Sequence, residues 1–280
     1  MRGNLPGPEG LAWPFARAQP LGVGTPADLC DGASPASAPS ALSTGAGQAQ
    51  PHRTDIRPSQ RGSREILRQA PGRFLTIEGI EGVGKTTQVA RLSRYLEKRG
   101  IDHVVTREPG GTPLAEKIRD LVLRPPGEAL TPAAELLLMF AARSLHLANH
   151  IGPALNAGRW VICDRFTDAT YAYQGAGRGV SQTDIRFLET LVQGALRPDL
   201  TLLLDVPVDV GLERSRQRDA GGVRDRFDFE RAEFSEQVRE AYLSRARAEP
   251  QRMAIVDAVA SMDEVTKRMT KVLESRSWIS

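Results

Sequence analysis

Two absences restrict what this 280-residue chain can be. It has only two cysteines, Cys30 and Cys163, which lie in unlike contexts and show no metal-ligand spacing, so neither a disulfide framework nor a zinc site is expected. It also lacks a long apolar run. Residues 135–148 come nearest, but Arg143 interrupts them short of the roughly 20 apolar residues of a membrane-spanning helix. We therefore expect a protein of the reducing cytoplasm without a membrane partner.

Composition divides the chain near residue 70. The first fifty residues lack isoleucine but contain eight glycines and seven prolines, and they hold no compact apolar segment of the kind found in secretory signals. Residues 1–70 are predicted to be a disordered low-complexity tail, because they cannot bury enough apolar surface to offset their ordering entropy. Such a tail either has no role, as after a start codon assigned too far upstream, or serves as a targeting or partner segment.

Residues 71–280 have the pattern of one folded domain. Short apolar runs predict strands at residues 74–78, 103–108, 160–164, 200–206 and 252–257. Helical periodicity predicts helices at residues 86–100, 131–158, 181–196, 208–217, 230–249 and 261–275. Residues 131–158 form either one helix or two helices broken at Gly152-Pro153. Apolar strands that alternate with helices predict an α/β fold of three layers, with a five-stranded parallel sheet covered on both faces.

A glycine-rich stretch follows the first predicted strand. It reads Gly79-x4-Gly84-Lys85-Thr86 and precedes a helix, which is the context of a P-loop NTPase fold. In such a loop backbone N–H groups wrap the β-phosphate, Lys85 bridges the β- and γ-phosphates, and the Thr86 hydroxyl ligates Mg²⁺. The alternative is a glycine-rich turn that binds no ligand. The sequence predicts that the phosphates of a nucleotide and a magnesium ion bind here.

This pattern alone does not separate GTPases, ATPases and kinases. Two predicted strands end on an acid, Asp164 and Asp205, and either acid could lie near the magnesium. Neither is followed by a second acid that would activate water, and no Asn-Lys-x-Asp stretch is present to read guanine. These absences argue against motors, clamp loaders and GTPases, and they leave phosphoryl transfer to a small acceptor.

Two arginines are placed to bind the phosphate of such an acceptor. Arg107 and Arg165 each stand at the carboxyl end of a predicted parallel strand, where ligands bind in open α/β sheets. A guanidinium there can bind a phosphate through two hydrogen bonds. Taken alone, Arg107 also fits an ordinary surface arginine in a strand-to-helix loop.

Four further side chains suit a nucleoside. Phe140 and Arg143 are three residues apart on a predicted helix and share a face, which suits stacking on a base and hydrogen bonding to its carbonyl. Tyr173 and Gln174 offer a ring and an amide for sugar and base contacts. The structural alternatives are a core phenylalanine, a surface arginine, a packed tyrosine and a solvated glutamine.

Residues 214–228 are rich in arginine around Gly221-Gly222. The stretch is either a solvated basic loop or a lid that closes over the triphosphate. In a lid the glycines would permit movement, and the arginines would neutralise charge on the transferring phosphoryl group. The candidate catalytic arginines are Arg214, Arg218 and Arg224.

Together these stretches resemble the thymidylate kinase family, in its bacterial kind with an arginine-rich lid. The resemblance rests on "IEGIEGVGKTT", "TREPGGT", "LLLMFAARSLHL" and "DRFTDATYAYQG", and it covers about residues 73–275. It implies phosphate transfer from ATP to dTMP, which gives dTDP for the synthesis of dTTP and DNA. It also implies Mg²⁺ as cofactor and a homodimer.

The resemblance assigns roles residue by residue. ATP would bind at Gly79, Ile80, Glu81, Gly82, Val83, Gly84, Lys85, Thr86 and Thr87. The substrate dTMP would bind at Arg107, Glu108, Phe140, Arg143, Arg165, Tyr173 and Gln174. The catalytic residues would be Lys85, Asp164, Arg165, Arg214, Arg218 and Arg224. Mg²⁺ would bind Thr86 and Asp164, directly or through water. One departure is that the family usually has Ser after Asp168, where this chain has Ala169 followed by Thr170.

Two other functions remain open from the sequence. One is a kinase for a nucleoside or for another monophosphate. The other is a P-loop regulatory or nucleic-acid-binding protein, which the net charge of +3 allows but does not require. We expect no specific nucleic-acid partner, because the acceptor motifs would then have no role.

Overall fold

The computed structural model describes residues 72–219 and 232–279. The predicted tail, the Gly221-Gly222 part of the predicted lid, Arg224 and the side chain of Arg218 lie outside the described residues. Within the described ranges, none of the helices has both the length and the apolar character needed to cross a membrane.

A five-stranded parallel sheet forms the centre of the domain, in the order β2-β3-β1-β4-β5. The strands are β1 (Phe74–Glu78), β2 (His103–Arg107), β3 (Trp160–Asp164), β4 (Leu200–Asp205) and β5 (Met253–Asp257). In β1, Leu75 and Ile77 pack into one core cluster and Phe74 into another, because both faces of the sheet are covered. The predicted α/β fold and its five strands are confirmed.

Helices fill the connections between the strands. They are α1 (Lys85–Lys98), α2 (Pro113–Leu123), α3 (Pro132–His146), α4 (Gly152–Asn156), α5 (Thr167–Thr170), α6 (Gln182–Gln193), α7 (Val208–Asp219), α8 (Ala232–Ala248) and α9 (Met262–Glu274). Two π-helical segments join this set, Leu147–Ile151 between α3 and α4, and Tyr171–Gly177 directly after α5.

The register of the sheet gathers polar strand ends at one edge. Arg107 of β2 lies beside Asp164 of β3, and Asp164 lies beside Ile77 of β1. The residues that follow these strands therefore leave the sheet as neighbours. In parallel sheets this edge is where ligands bind.

Residues 132–156 form one helical run rather than two separate helices. The π-helical segment ends at Ile151, directly before Gly152-Pro153. Proline has no N–H to donate, and its ring collides with the carbonyl four residues earlier in a regular α-helix. The wider turn before Pro153 lets the run continue past it.

Two helices were not predicted from the sequence. The first is α2, which has Thr112 as its N-cap, with the side chain accepting from the N–H of Ala115 at 3.3 Å, and Pro113 as its first residue. A threonine followed by proline is a helix-start signal that was available. The second is α5 with its π-helical extension, residues 167–177, which has many β-prone residues and two glycines.

Candidate active site

The P-loop joins β1 to α1 and leaves the first turn of α1 open to solvent. Gly82 and Gly84 adopt φ angles of 76° and 91°, which glycine accepts without strain. A Cβ on Gly82 would lie 1.9 Å from the carbonyl oxygen of Gly211 on α7, so this position also requires the absence of a side chain. Thr86 and Thr87 are exposed. The N–H groups at this helix start favour an anion.

Lys85 is buried at the base of the loop. Its ammonium donates to the carbonyl oxygens of Gly79 at 3.0 Å and Ile80 at 2.8 Å. Burial, and next the positive charge of Arg165, lower the pKa of Lys85 to about 8. The lysine is thus held at the cradle by backbone acceptors, and its charge depends on pH near neutrality.

Asp164 is the strand-end acid that retains capacity for a ligand. Its Oδ1 is buried and has no hydrogen-bond partner among the described residues. Its negative charge also acts to raise the pKa of Lys85, against the larger effect of burial. Asp205 differs, because its two oxygens accept from Arg239 at 2.8 and 3.0 Å. Of the two acids, Asp164 therefore suits a magnesium ion or its water.

Arg165 faces the P-loop from the end of β3. Its guanidinium donates to the carbonyl of Gly79 at 2.9 Å and to the carboxylate of Glu81. It also lies over the ring of Tyr173, 4.8 Å from the centroid. The structure thus brings together residues predicted for the donor and for the acceptor. A phosphate that binds Arg165 would compete with Glu81 for the same guanidinium.

Arg143 is buried on α3, with 1% of its surface exposed. Its guanidinium carbon lies 4.8 Å from the ring centroid of Phe140 and 5.0 Å from that of Phe166. Nε donates to Glu108 at 2.7 Å, and Nη2 donates to the hydroxyl of Thr170 at 2.9 Å. Nη1 is buried and has no partner in the part of the chain that the structure describes. A buried donor without an acceptor is costly, so this nitrogen marks a place for a ligand acceptor.

Gln174 presents a complementary acceptor in the same region. Its Nε2 donates to Glu135 of α3 at 2.7 Å, and its Oε1 is buried without a partner within residues 72–219 and 232–279. Thr170 and Ala169 lie one helical turn earlier. Ala169 packs in the core, and the Thr170 hydroxyl accepts from Arg143. In this structure the hydroxyl of Thr170 is therefore a hydrogen-bond partner of Arg143.

Glu108 is a buried hydrogen-bond partner of Arg143. It is 3% exposed, and its other oxygen, Oε1, accepts from Nδ1 of His146 at 3.0 Å. The hydroxyl of Thr106 lies 2.7 Å from Nε2 of the same histidine. Both oxygens of Glu108 are thus engaged by protein groups. Glu108 was predicted to bind substrate. In the structure its hydrogen bond orients Arg143.

In the described part of the chain, two other predicted arginines donate to groups outside the P-loop. Arg107 is half-exposed and donates to Glu116 at 2.7 Å. Arg214 of α7 donates to the carbonyl oxygens of Ala258 and Val259 at 2.9 and 3.0 Å. A catalytic role would require Arg214 to leave these acceptors. The roles of both residues, like those of Arg218 and Arg224, stay predictions.

Sequence reasoning missed two buried acids. Glu78 ends β1 directly before Gly79 and accepts from the Tyr242 hydroxyl at 2.7 Å. Asp168 accepts from Arg245 and Arg252, which lie 77 and 84 positions further along the chain. Burial alone would raise the pKa of Asp168, but the hydrogen bond from Arg252 and the charge of Arg245 hold it below its usual value. For Glu78, an acid at the end of an apolar run was an available signal.

Comparison with known proteins identifies the family to which the chain is similar. A family model described as thymidylate kinase matches residues 77–269. The thymidylate kinase of Chromohalobacter salexigens is 56% identical over 211 residues, which are 74% of this chain and 99% of that protein. The thymidylate kinase of Pseudomonas entomophila is 54% identical over 202 residues, which are 72% of this chain and 95% of that protein.

A solved structure shares the fold. The crystal structure of thymidylate kinase from Ehrlichia chaffeensis matches with a TM-score of 0.58 and 34% identity, and the match covers 73% of this chain and 99% of that chain. The family model spans the P-loop, Arg143 and the last strand of the sheet. The chain therefore belongs to the thymidylate kinase family.

Proposed function

We propose that this chain transfers the γ-phosphoryl group of ATP to dTMP and so forms dTDP and ADP. The observation that carries the proposal is the buried guanidinium of Arg143, whose Nη1 has no acceptor among the described residues. Phe140 and Phe166 flank that guanidinium with apolar rings. A flat base with a carbonyl at its edge suits such a pocket.

Thymine matches the two groups of the pocket that have no partner in the described ranges. A ring carbonyl can accept from Arg143 Nη1, and the ring N–H can donate to Gln174 Oε1. Cytosine lacks that ring N–H, and adenine has no carbonyl. A site built to hydrogen-bond a group discriminates strongly against analogues without it, because its own buried polar groups would then stay unpaired.

On the donor side, the N–H groups of the P-loop and Lys85 bind the phosphates of ATP. Mg²⁺ fits the residues present, since Thr86 is exposed at the first turn of α1 and Asp164 offers Oδ1. The described residues contain no cluster of three or more His, Cys, Asp or Glu side chains that could hold a metal, so the ion would bind chiefly to phosphate oxygens and water. When bound, it neutralises phosphate charge.

The phosphate of dTMP binds Arg165 and Arg107. Arg107 is the last residue of β2, and Arg165 directly follows the neighbouring strand β3. Each arginine donates to one glutamate in the present structure, Glu81 or Glu116. A phosphate carries more charge than a carboxylate and can replace those bonds. Alignment of this phosphate with the γ-phosphate, together with charge neutralisation by a lid arginine, supplies most of the rate enhancement.

The test is ADP release from ATP with a panel of acceptors: dTMP, dUMP, dCMP, AMP and thymidine. We expect kcat/KM for dTMP to exceed that for dCMP and AMP by about 10³-fold or more, and that for dUMP by a smaller factor, since dUMP lacks only a methyl group. Arg107→Ala should cripple the use of dTMP. Equal rates with the four monophosphates would remove the proposed base pocket, and a preference for thymidine would indicate a nucleoside kinase.

A second copy of the chain is the protein partner that we propose. Large apolar side chains are exposed on the packed helices α3 and α6, with Leu137 58%, Phe187 67% and Leu191 69% exposed. Leu137 and Phe187 line the same shallow groove. Apolar exposure on neighbouring helices is typical of an interface between copies.

Light scattering of the purified protein tests this partner. We expect the mass of a dimer for the wild type and of a monomer for Phe187→Glu/Leu191→Glu. Ile255→Glu is the control, because Ile255 is 46% exposed but lies on β5 at the far edge of the sheet from β2. A wild-type protein that remains monomeric at micromolar concentration would rule the dimer out.

A further inference from the structure

Glu78 is the last residue of β1 and is fully buried directly before the P-loop. Its Oε1 accepts from the backbone N–H of Phe166 at 2.6 Å, and its Oε2 accepts from the hydroxyl of Tyr242 at 2.7 Å. One carboxyl group therefore joins β1, the segment after β3 and helix α8. The chemistry proposed above gives this carboxyl group no role.

Both hydrogen bonds bear on Arg165. Phe166 is the next residue, so the bond to its N–H holds the backbone where Arg165 takes a φ of 68°, an uncommon value for a residue with a side chain. The oxygen of Tyr242 lies 3.4 Å from Nη1 of Arg165, and that nitrogen also donates to Gly79 at 2.9 Å. Glu78 thus fixes the backbone at Arg165, and Tyr242 helps to fix the position of its guanidinium.

Tyr242 also packs against Tyr173, the ring that lies beneath this guanidinium. Its ring centroid lies 6.3 Å from that of Tyr173, over which Arg165 lies. Burial, and next the charge of Glu78, raise the pKa of the Tyr242 hydroxyl well above its usual value, so it stays protonated and donates. Helix α8 follows the arginine-rich stretch in the chain, and Tyr242 links that helix to the end of β1.

We propose that Glu78 and Tyr242 are a positioning pair, which holds Arg165 in place for the acceptor phosphate and couples α8 to the P-loop. They act through Arg165 and touch neither nucleotide. The inference rests on the proposed function, because it requires Arg165 to bind the phosphate of dTMP. A pair with a structural role alone would affect the stability of the fold and leave the kinetics unchanged.

Tyr242→Phe tests the pair with a matched control. Tyr171→Phe also removes a buried hydroxyl that donates to a glutamate at 2.7 Å, here Glu189, and Tyr171 has no place in the proposed site. The two variants should show similar shifts in melting temperature. We expect Tyr242→Phe to lower kcat/KM for dTMP about tenfold or more, with KM for ATP within about twofold of wild type. Tyr171→Phe should leave both values unchanged.

A double variant tests whether the two residues act as one unit. Glu78→Gln should also lower kcat/KM for dTMP, and Glu78→Gln/Tyr242→Phe should lose no more than the worse single variant, because both act through Arg165. Losses that multiply, or a Tyr242→Phe enzyme with the kinetics of Tyr171→Phe, would overturn the positioning role. A wild-type enzyme that does not phosphorylate dTMP would instead overturn the proposed function.

Discussion

The guanidinium of Arg143 is one of the two groups that we propose to recognise the base. Arg143 is 1% exposed, and two of its nitrogens donate to Glu108 and Thr170. Its third nitrogen, Nη1, has no acceptor in the described part of the chain. A buried donor left unpaired costs about 1–3 kcal/mol, so a ligand carbonyl at that point gains more than it would at the surface. The hydrogen bonds to Glu108 and Thr170 thus hold the arginine in place for the proposed contact with a base.

Arg143→Lys should weaken the binding of dTMP although it keeps the positive charge. Lysine can still pair with Glu108, but it lacks the planar group between Phe140 and Phe166 and the additional donor. We expect KM for dTMP to rise by about tenfold or more, which corresponds to about 1.4 kcal/mol, while KM for ATP stays near wild type. The control is Arg124→Lys, at an exposed pair with Asp120. Equal effects of the two substitutions would contradict the role of Arg143.

The affinity for ATP should fall as the pH rises through about 8. Burial, and next the charge of Arg165, lower the pKa of Lys85 to about 8. Burial, and next the charge of Asp168, raise the pKa of Glu78 to about 8. Above this pH the lysine loses the positive charge that attracts phosphate, and the glutamate gains a negative charge that repels it. If ATP binds only when these groups are protonated, its affinity falls by up to about tenfold per pH unit above 8 for each proton taken up.

Calorimetric titration of ATP between pH 7 and 9.5 measures this dependence. Glu78→Gln removes one of the two titrating groups, so its affinity should fall less steeply with pH than that of the wild type. An affinity that is constant over this range would mean that neither group titrates there.

Single residues differ in how far sequence reveals them. Lys85 and Thr86 follow from spacing, because a phosphate cradle demands a lysine and a hydroxyl at fixed positions after the glycines. The pairing of Glu78 with Tyr242 joins residues 164 positions apart, and no local pattern encodes it. The unsatisfied Nη1 of Arg143 is visible only in the folded chain, because the partners of its other two nitrogens, Glu108 and Thr170, come from two other segments.

At the scale of elements, the P-loop is shaped by helix α7 as well as by its own glycines. Gly211 of α7 contacts the loop so closely that a Cβ would lie 2.8 Å from the carbonyl oxygen of Glu81. A Cβ on Gly82 would meet Gly211 from the other side. Glycine in a helix is otherwise unfavourable, so its presence here reflects the close approach of the two backbones.

Gly211→Ala should therefore destabilise the protein despite the better helix propensity of alanine. Propensity alone would stabilise α7 by about 1 kcal/mol. The clash with Glu81 should outweigh this gain, with a net loss of about 1–3 kcal/mol and a weaker affinity for ATP. Thermal unfolding with and without ATP measures both effects. Gln217→Ala, at an exposed position of α7, is the control for propensity. A stabilised Gly211→Ala protein would contradict the close packing.

Regular elements were predictable where one period dominates. Short apolar runs that alternate with helices predicted five parallel strands, whereas the order of the strands in the sheet was not predicted. Residues 167–177 could not be assigned, because their helix is short, partly π-helical and held by contacts with α8 that lie far along the chain. The sequence also left open whether residues 131–158 form one helix or two, since a π-helical turn before Pro153 has no clear signature.

At the scale of the whole molecule, the relatives match only part of the chain. The match to the Chromohalobacter salexigens protein covers 74% of this chain but 99% of that protein. The catalytic elements and the proposed base pocket all lie within residues 72–279. We infer that residues 71–280 suffice for activity.

A variant that lacks residues 1–70 should keep kcat and both KM values within about twofold of the full chain. The reason is that every residue to which we assign a role in binding ATP or dTMP, or in positioning Arg165, lies beyond position 70. Steady-state kinetics of the two proteins side by side make the comparison. A loss of more than about tenfold would show that the first seventy residues contribute to the reaction.

The central claim is that donor and acceptor meet at one edge of the sheet, with the acceptor base seated at Arg143. A crystal structure with ADP and dTMP bound tests it most directly. We predict Arg143 Nη1 within about 3 Å of a thymine carbonyl oxygen, the base against Phe140, and the dTMP phosphate on Arg165. A base bound elsewhere, with Arg143 still lacking an acceptor, would contradict the account.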